Sequence, residues 1–333
     1  CGKLLADLGA DVIKVEPPEG DPTRRLPPFK DGQPGPERSL RFISLNANKR
    51  GITLALTSPE GVESFRALIA GADVLLEDGP PGWLDPLGFS ERHLAELNPA
   101  LVHASVTAFG QTGPHSGYRA PELVAFAMGG LMNISGDPAY PPCVAPESVG
   151  YALGCIAAAS GIVAALLERA RSGLGQRVDV AAQDVMATME HNISRFSQDG
   201  YVIRRQGSQH GASAPGRVFR AADGFIHIQA STAWDQFFDW IGRPEALAGP
   251  EWAGLAYRRA HLEIIDPIVA DFCRQRPRAV LAGEGQARHI AVVPVNHPGE
   301  VAEDPHVNGL GFFFDGEHPE LGRVRHIGAP YLL

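Results

Sequence analysis

The chain predicts an α/β protein: a doubly wound parallel sheet first, and a smaller α+β unit late in the sequence. Three observations predict this. Residues 1 to about 120 alternate short β-branched runs with helical periods, the rhythm of a parallel sheet covered on both faces. From Ser197 to Gly216 the apolar period vanishes among Gly, Ser, Gln and Arg. Beyond that break a hairpin pattern appears, with Asp223-Gly224 between two apolar runs. The expected divisions are a large domain over 1–196, a glycine-rich linker over 197–216, a small domain over 217–315, and a return to the large domain over 316–333.

The elements follow in order. Leu4, Leu5 and Leu8 recur at helical spacing, Gly9 ends the helix, and Val12-Ile13-Lys14-Val15 is a strand that opens into Pro17-Pro18-Glu19-Gly20-Asp21. Gly51-Ile52-Thr53-Leu54-Ala55-Leu56 reads as the next strand. Ser58 is an N-cap with Pro59 at the first helical position, and Phe65, Leu68 and Ile69 carry that helix. Asp73–Glu77 is a strand with an apolar centre, Ser90 caps a helix to Leu97, and Leu101–Val106 is a further strand. Helices are expected over 122–134, 150–171 and 183–196, with Gly173 stopping the second and Val178-Asp179-Val180 forming a short strand. In the small domain, 217–219 and 225–228 pair as a hairpin, helices occupy 232–242 and 259–276, and 291–295 and 311–314 are strands. Trp234, Phe237, Phe238 and Trp240 supply its core.

Bulk properties narrow the function classes. The chain has 333 residues, 44% hydrophobic and 20% charged, which suits a globular protein with a sizeable core. The net charge of -9 argues against a nucleic-acid surface. The longest apolar run, Ala152–Leu167, is rich in small residues and ends in Glu168-Arg169, so a buried helix is expected and no membrane association. Cys1, Cys143, Cys155 and Cys273 are far apart without a CxxC pair. This gives neither a zinc site nor a disulfide framework, and a reducing, cytoplasmic setting is expected. Glu190-His191 is only half of a metal signature, and no metal is expected. His210 reads as a solvated loop histidine, and Asp179 and Asp184 as capping residues.

The order and spacing of several motifs resemble the family III CoA-transferases, a group that includes formyl-CoA:oxalate and carnitine CoA-transferases and α-methylacyl-CoA racemase. The motifs are Leu8-Gly9-Ala10-Asp11-Val12-Ile13-Lys14-Val15-Glu16, Asn48-Lys49-Arg50-Gly51-Ile52, Leu97-Asn98-Pro99, Phe109-Gly110-Gln111-Thr112-Gly113-Pro114, Gly173-Leu174-Gly175-Gln176 and Pro294-Val295-Asn296. The resemblance covers essentially the whole chain. It implies a Rossmann-like large domain and two chains threaded as interlocked rings, either a homodimer or a heteromer with a family homologue. It also implies acyl-CoA and a carboxylic acid as substrates, with CoA passing between them through a carboxylate nucleophile. Coenzyme A requires cations and N–H groups for its phosphates and an apolar slot for its adenine. Asn48, Lys49, Arg50, Arg24 and Arg119 are the candidate phosphate-end residues, and Phe109 and Gly110 leave room for a pantetheine arm.

The sequence departs from the family at the nucleophile. The family's aspartate stands at the head of the small-residue helix, where the carboxylate faces the positive end of the helix dipole. Here that position falls on Gly150 or Tyr151, and Glu147 is the nearest carboxylate along the chain. The racemase histidine falls on Pro121. After the third strand, Asp78-Gly79-Pro80-Pro81-Gly82 and Leu84-Asp85-Pro86 replace asparagine and two arginines. Two readings follow: a CoA-transferase in which Glu147 or another group replaces the aspartate, and a catalytically impaired member serving as a non-catalytic subunit.

Overall fold

The structure is a computed structural model that describes residues 1–146, 148–189 and 192–331. Glu147, Glu190, His191, Leu332 and Leu333 lie outside the described residues. The chain divides into two compact units. One comprises Cys1–Asn133, Val144–Val202 and Pro305–Leu333; the other comprises Ile134–Cys143 and Ile203–Asp304.

The first unit is a mixed α/β assembly with parallel strand pairing. Its elements run α1 (Gly2–Asp7), β1 (Val12–Glu16), α2 (Leu40–Asn46), β2 (Lys49–Thr53), α3 (Pro59–Ala70), β3 (Val74–Glu77), α4 (Glu91–Leu97), β4 (Val102–Thr107), α5 (Glu122–Met128), α6 (Leu131–Ile134), α7 (Val149–Ser172), β5 (Arg177–Ala181), α8 (Ala182–Met189) and α9 (Asn192–Asp199). Strands β1 and β2 pair in parallel with Val12 opposite Lys49 and Glu16 opposite Thr53. A second parallel sheet has the order β3-β4-β5, with Val74 opposite Val102 and Thr107 opposite Ala181.

Local chemistry sets the helix boundaries. Ser58 Oγ accepts from the Gly61 N–H at 3.1 Å with Pro59 at the first helical position, and Ser90 Oγ accepts from His93 N–H at 3.4 Å. Gly173 closes α7 in the left-handed region at φ 75°, where a side chain is disfavoured. Between these ends α7 buries Gly154, Ala158, Ile162 and Ala165, an i, i+4, i+8, i+11 stripe. Small residues bring that stripe close to the sheet: a Cβ on Gly161 would lie 2.8 Å from Val178 Cγ1. Val106, Ala158 and Val180 form the resulting core, while Phe65, Ile69, Phe89 and Leu94 form another beneath α3 and α4. Among the described residues α7 is the one helix long and apolar enough to cross a membrane.

The second unit contains β6 (Gly216–Ala221), β7 (Gly224–Gln229), α10 (Trp234–Trp240), α11 (Leu255–Ala260), α12 (Leu262–Arg274), α13 (Arg278–Gln286), β8 (Ala291–Pro294) and α14 (Pro298–Glu303). Its strands are antiparallel in the order β6-β7-β8. Trp234, Phe237 and Trp240 join Ile265, Val269 and Leu281 in its core. Arg258 is buried there, donating to the carbonyls of Ala214, Ser231, Trp252 and Ala253 with its guanidinium 4.5 Å from the Trp234 ring centre.

The chain then returns to the first unit. After α15 (Pro305–Gly309), an antiparallel hairpin of β9 (Phe313–His318) and β10 (Gly322–Ile327) packs Leu321 and Val324 against Phe42 and Ile43. Lys3 Nζ donates to the Ile327 carbonyl at 3.0 Å.

Candidate active site

Open parallel sheets bind ligands beyond the carboxyl ends of their strands. At that end of β3-β4-β5 lie the loop after β3, the loop after β4, the start of α5 and the head of α7. Each is shaped by identifiable side chains. Buried Glu77, the last residue of β3, accepts from the Gly79 N–H at 2.8 Å and from Trp83 Nε1 at 2.7 Å, which folds the 78–83 loop tightly. In the loop after β4, Gly110 adopts φ 78°, and the following Gln111 N–H donates to Asp179 Oδ2 at 2.9 Å. Gln111 Oε1 accepts from the Gly82 N–H at 3.3 Å, so the two loops are joined. Asp179 thus fixes the loop after β4.

The head of α7 carries free N–H groups, as every helix start does. Ser148 stands at the N-cap position in the left-handed region, φ 57°, and does not cap the helix with its side chain. Its hydroxyl accepts instead from Arg41 Nη2 at 2.9 Å. The Gly150 N–H donates to Glu122 Oε1 at 3.0 Å, so a carboxylate from α5 occupies the helix head. Tyr151 directs its hydroxyl to Asp78 Oδ2 at 2.9 Å, which ties the helix head to the loop after β3. Burial, with the Asp78 charge second, pushes the Tyr151 phenol well above its ordinary range, so it stays a neutral donor. Positions 150 and 151 themselves present no carboxylate.

The family model described as CoA-transferase family III matches residues 1–333. The chain belongs to CoA-transferase family III. It is 34% identical to a succinyl-CoA:(R)-benzylsuccinate CoA-transferase subunit of Thauera aromatica, over 99% of this chain and 83% of that one. It is 32% identical to a formyl-CoA:oxalate CoA-transferase of Streptomyces coelicolor, over 99% and 84% of the two chains. A crystal structure of a CaiB/BaiF family protein from Brucella suis superposes with a TM-score of 0.88 at 30% identity, covering 100% of this chain and 87% of that one.

Within this family III chain, the residues expected to meet CoA fall into distinct settings. Asn48, Lys49 and Arg50 lie at the amino end of β2. Asn48 donates to Asp7 Oδ1 at 2.8 Å, Lys49 to Asn46 Oδ1 at 2.7 Å, and Arg50 pairs with Asp11 on the surface. Burial, then repulsion from Lys14, lowers the Lys49 ammonium to about 8, against the opposing pull of Asp21 and Cys155. Cys155 stands one turn along α7 from Tyr151. Arg24 forks onto Glu16 at the carboxyl end of β1, 2.7 and 2.9 Å, bonds Glu37 at 2.6 Å, and stacks 3.8 Å above the Phe42 ring. The pair with Arg24 holds Glu16 below the usual carboxylate range, and the Arg24 fork is fully engaged. Phe109 meets His115 and Tyr118 edge-on at 5.9 and 6.0 Å, beside Gly110. Arg119, in the same loop, is exposed with no partner among the described residues.

Glu147, the nearest carboxylate along the chain, lies outside the described residues. In space, Glu122 and Asp78 reach the helix head from 28 and 73 positions away. Periodicity and motif spacing carry no signal for such contacts.

Proposed function

We propose that this chain takes part in moving CoA from an acyl-CoA thioester to a carboxylic acid at the carboxyl end of β3-β4-β5 and the head of α7. The observation that carries this reading is the family III match over residues 1–333, joined to a helix head held by a carboxylate. The activities named for similar proteins narrow the substrates. They pair succinyl-CoA or formyl-CoA with benzylsuccinate, oxalate, D-citramalate or mesaconate, all dicarboxylic acids. A dicarboxylate acceptor is therefore proposed here, with exposed Arg119 as a cation for its distal carboxylate.

The proposed chemistry is covalent exchange through a protein carboxylate. The carboxylate attacks the thioester carbonyl and expels CoA thiolate, giving a mixed anhydride. Thiolate attacks the protein-side carbonyl, releasing the donor acid and leaving a protein–CoA thioester. The acceptor carboxylate then repeats the sequence in reverse. The N–H groups at the head of α7 are the donors for oxyanions formed on the protein-side carbonyl. Interlocked rings, as a homodimer or a heteromer, are the proposed assembly. A reducing, cytoplasmic setting is the proposed compartment.

A second reading is favoured by one specific feature. Gly150 and Tyr151 stand where the family's aspartate is expected, and the Thauera aromatica relative is named a subunit. On that reading the chain is a non-catalytic subunit and a homologous partner supplies the aspartate. The test is transfer from succinyl-CoA to each dicarboxylate by the purified chain, followed by chromatography, with CoA binding measured separately by calorimetry. Binding with transfer supports the first reading, and binding without transfer the second. Absence of both would remove the proposal.

A further inference from the structure

We propose that Glu122 is the carboxylate nucleophile of this chain, taking the place of the family's helix-borne aspartate; this rests on the CoA-transfer reading above. Three features lead to it. First, Glu122 Oε1 accepts from the Gly150 N–H at 3.0 Å, at the start of a helix of 24 residues. Second, Gly150 makes room for it. A Cβ at position 150 would come within 2.9 Å of Glu122 Oε1 and 2.3 Å of Met186 Cε, so the space that a side chain there needs is taken by Glu122 and its neighbours. Third, Glu122 Oε1 takes the Gly150 N–H while Oε2 has no partner among the described residues.

The site therefore keeps a carboxylate at the helix head but brings it from α5. Phe126, one turn along α5, is buried with Met186 in the same small core, and this anchors the base of the Glu122 side chain. The steps balance without any other reagent. Glu122 Oε2 bonds to the acyl carbon, the carbon–sulfur bond breaks, and the electron pair leaves on CoA thiolate. Thiolate then bonds to the Glu122 carboxyl carbon, and the bond from that carbon to the bridging oxygen breaks, releasing the donor carboxylate. The acceptor carboxylate attacks the glutamyl thioester, thiolate leaves, and thiolate finally attacks the acceptor acyl carbon, which frees Glu122. Oε1 stays opposite the Gly150 N–H, which stabilises the charge that develops on it in the two tetrahedral intermediates centred on the Glu122 carboxyl carbon.

The test uses the full chain and succinyl-CoA. After a short incubation the protein is treated with hydroxylamine, digested and mapped by mass spectrometry. The expected result is a hydroxamate at Glu122. Glu122→Gln keeps an amide oxygen to accept from Gly150, so the helix cap is retained while the nucleophile is lost. It should lower transfer by about a hundredfold or more with CoA affinity nearly unchanged. Hydroxamate at another carboxylate, full transfer by Glu122→Gln, or CoA binding with neither transfer nor hydroxamate would overturn the assignment to Glu122. Failure of the wild-type chain to bind CoA at all would instead overturn the CoA-transfer reading on which it rests.

Discussion

Gly150→Ala probes the packing at the head of α7 directly. The new Cβ would sit 2.3 Å from Met186 Cε, 2.9 Å from Glu122 Oε1 and 3.2 Å from Phe126 Cδ2. The methionine end can swing away, but Met186 is fully buried and its displacement disturbs the core around it. Overpacking of this kind costs about 1–3 kcal/mol. Moving Glu122 off the N–H removes a helix cap, a loss of about 0.5–2 kcal/mol. Replacing glycine by alanine inside a helix returns about 1 kcal/mol. The net is a destabilisation of about 2 kcal/mol, and urea unfolding measures it. Gly283→Ala is the control. Gly283 lies inside α13, exposed, with nothing within 4 Å of a Cβ, so only the propensity gain of about 1 kcal/mol remains and the variant should be more stable. If both substitutions shift stability in the same direction, the packing argument at Gly150 is refuted.

Other outcomes are expected. Lys49 should become half deprotonated at about pH 8, so competitive acetylation should find it reactive well below the pH at which surface lysines respond. Because its folded value lies below the unfolded one, the folded state gains stability as pH rises from about 8 towards 10.5; labelling that matches surface lysines would refute the burial argument. Arg258→Met should destabilise the chain by about 3 kcal/mol or more, since it strands the buried carbonyls that the guanidinium now bonds. Near-wild-type stability in thermal unfolding would mean those bonds contribute little. Tyr151→Phe should cost about 1 kcal/mol and leave Asp78 without its phenolic donor, also read from unfolding.

The features that sequence reading captured are local ones. Ser58 with Pro59, the stop at Gly173, and the alternation of strand and helix are set by neighbours a few residues apart, and the structure shows those contacts. Trp234, Phe237 and Trp240 were legible as core because large aromatics clustered on one short helix have little other use. Side-chain pairings over longer separations were not legible. Arg24 follows an acidic loop and reads as a phosphate contact, yet it forks onto Glu16 and Glu37. Asn48-Lys49-Arg50 reads as an open basic loop, while in the fold Asp7, Asn46 and Asp11 engage each member. Distance along the chain favoured Glu147 over Glu122, because nothing in a periodic pattern reports that the start of α5 folds back onto the start of α7.

Oxygen tracing tests covalent CoA transfer most directly. The purified chain is given unlabelled succinyl-CoA and a dicarboxylate acceptor labelled with heavy oxygen in its carboxylates, and the released succinate is weighed by mass spectrometry over many turnovers. Exchange through a protein carboxylate moves one acceptor oxygen onto the protein and then onto donor acid released in a later turnover. Heavy oxygen should therefore appear in succinate, and Glu122→Gln should abolish it. Steady formation of the acceptor thioester with succinate free of heavy oxygen would contradict a carboxylate-borne intermediate.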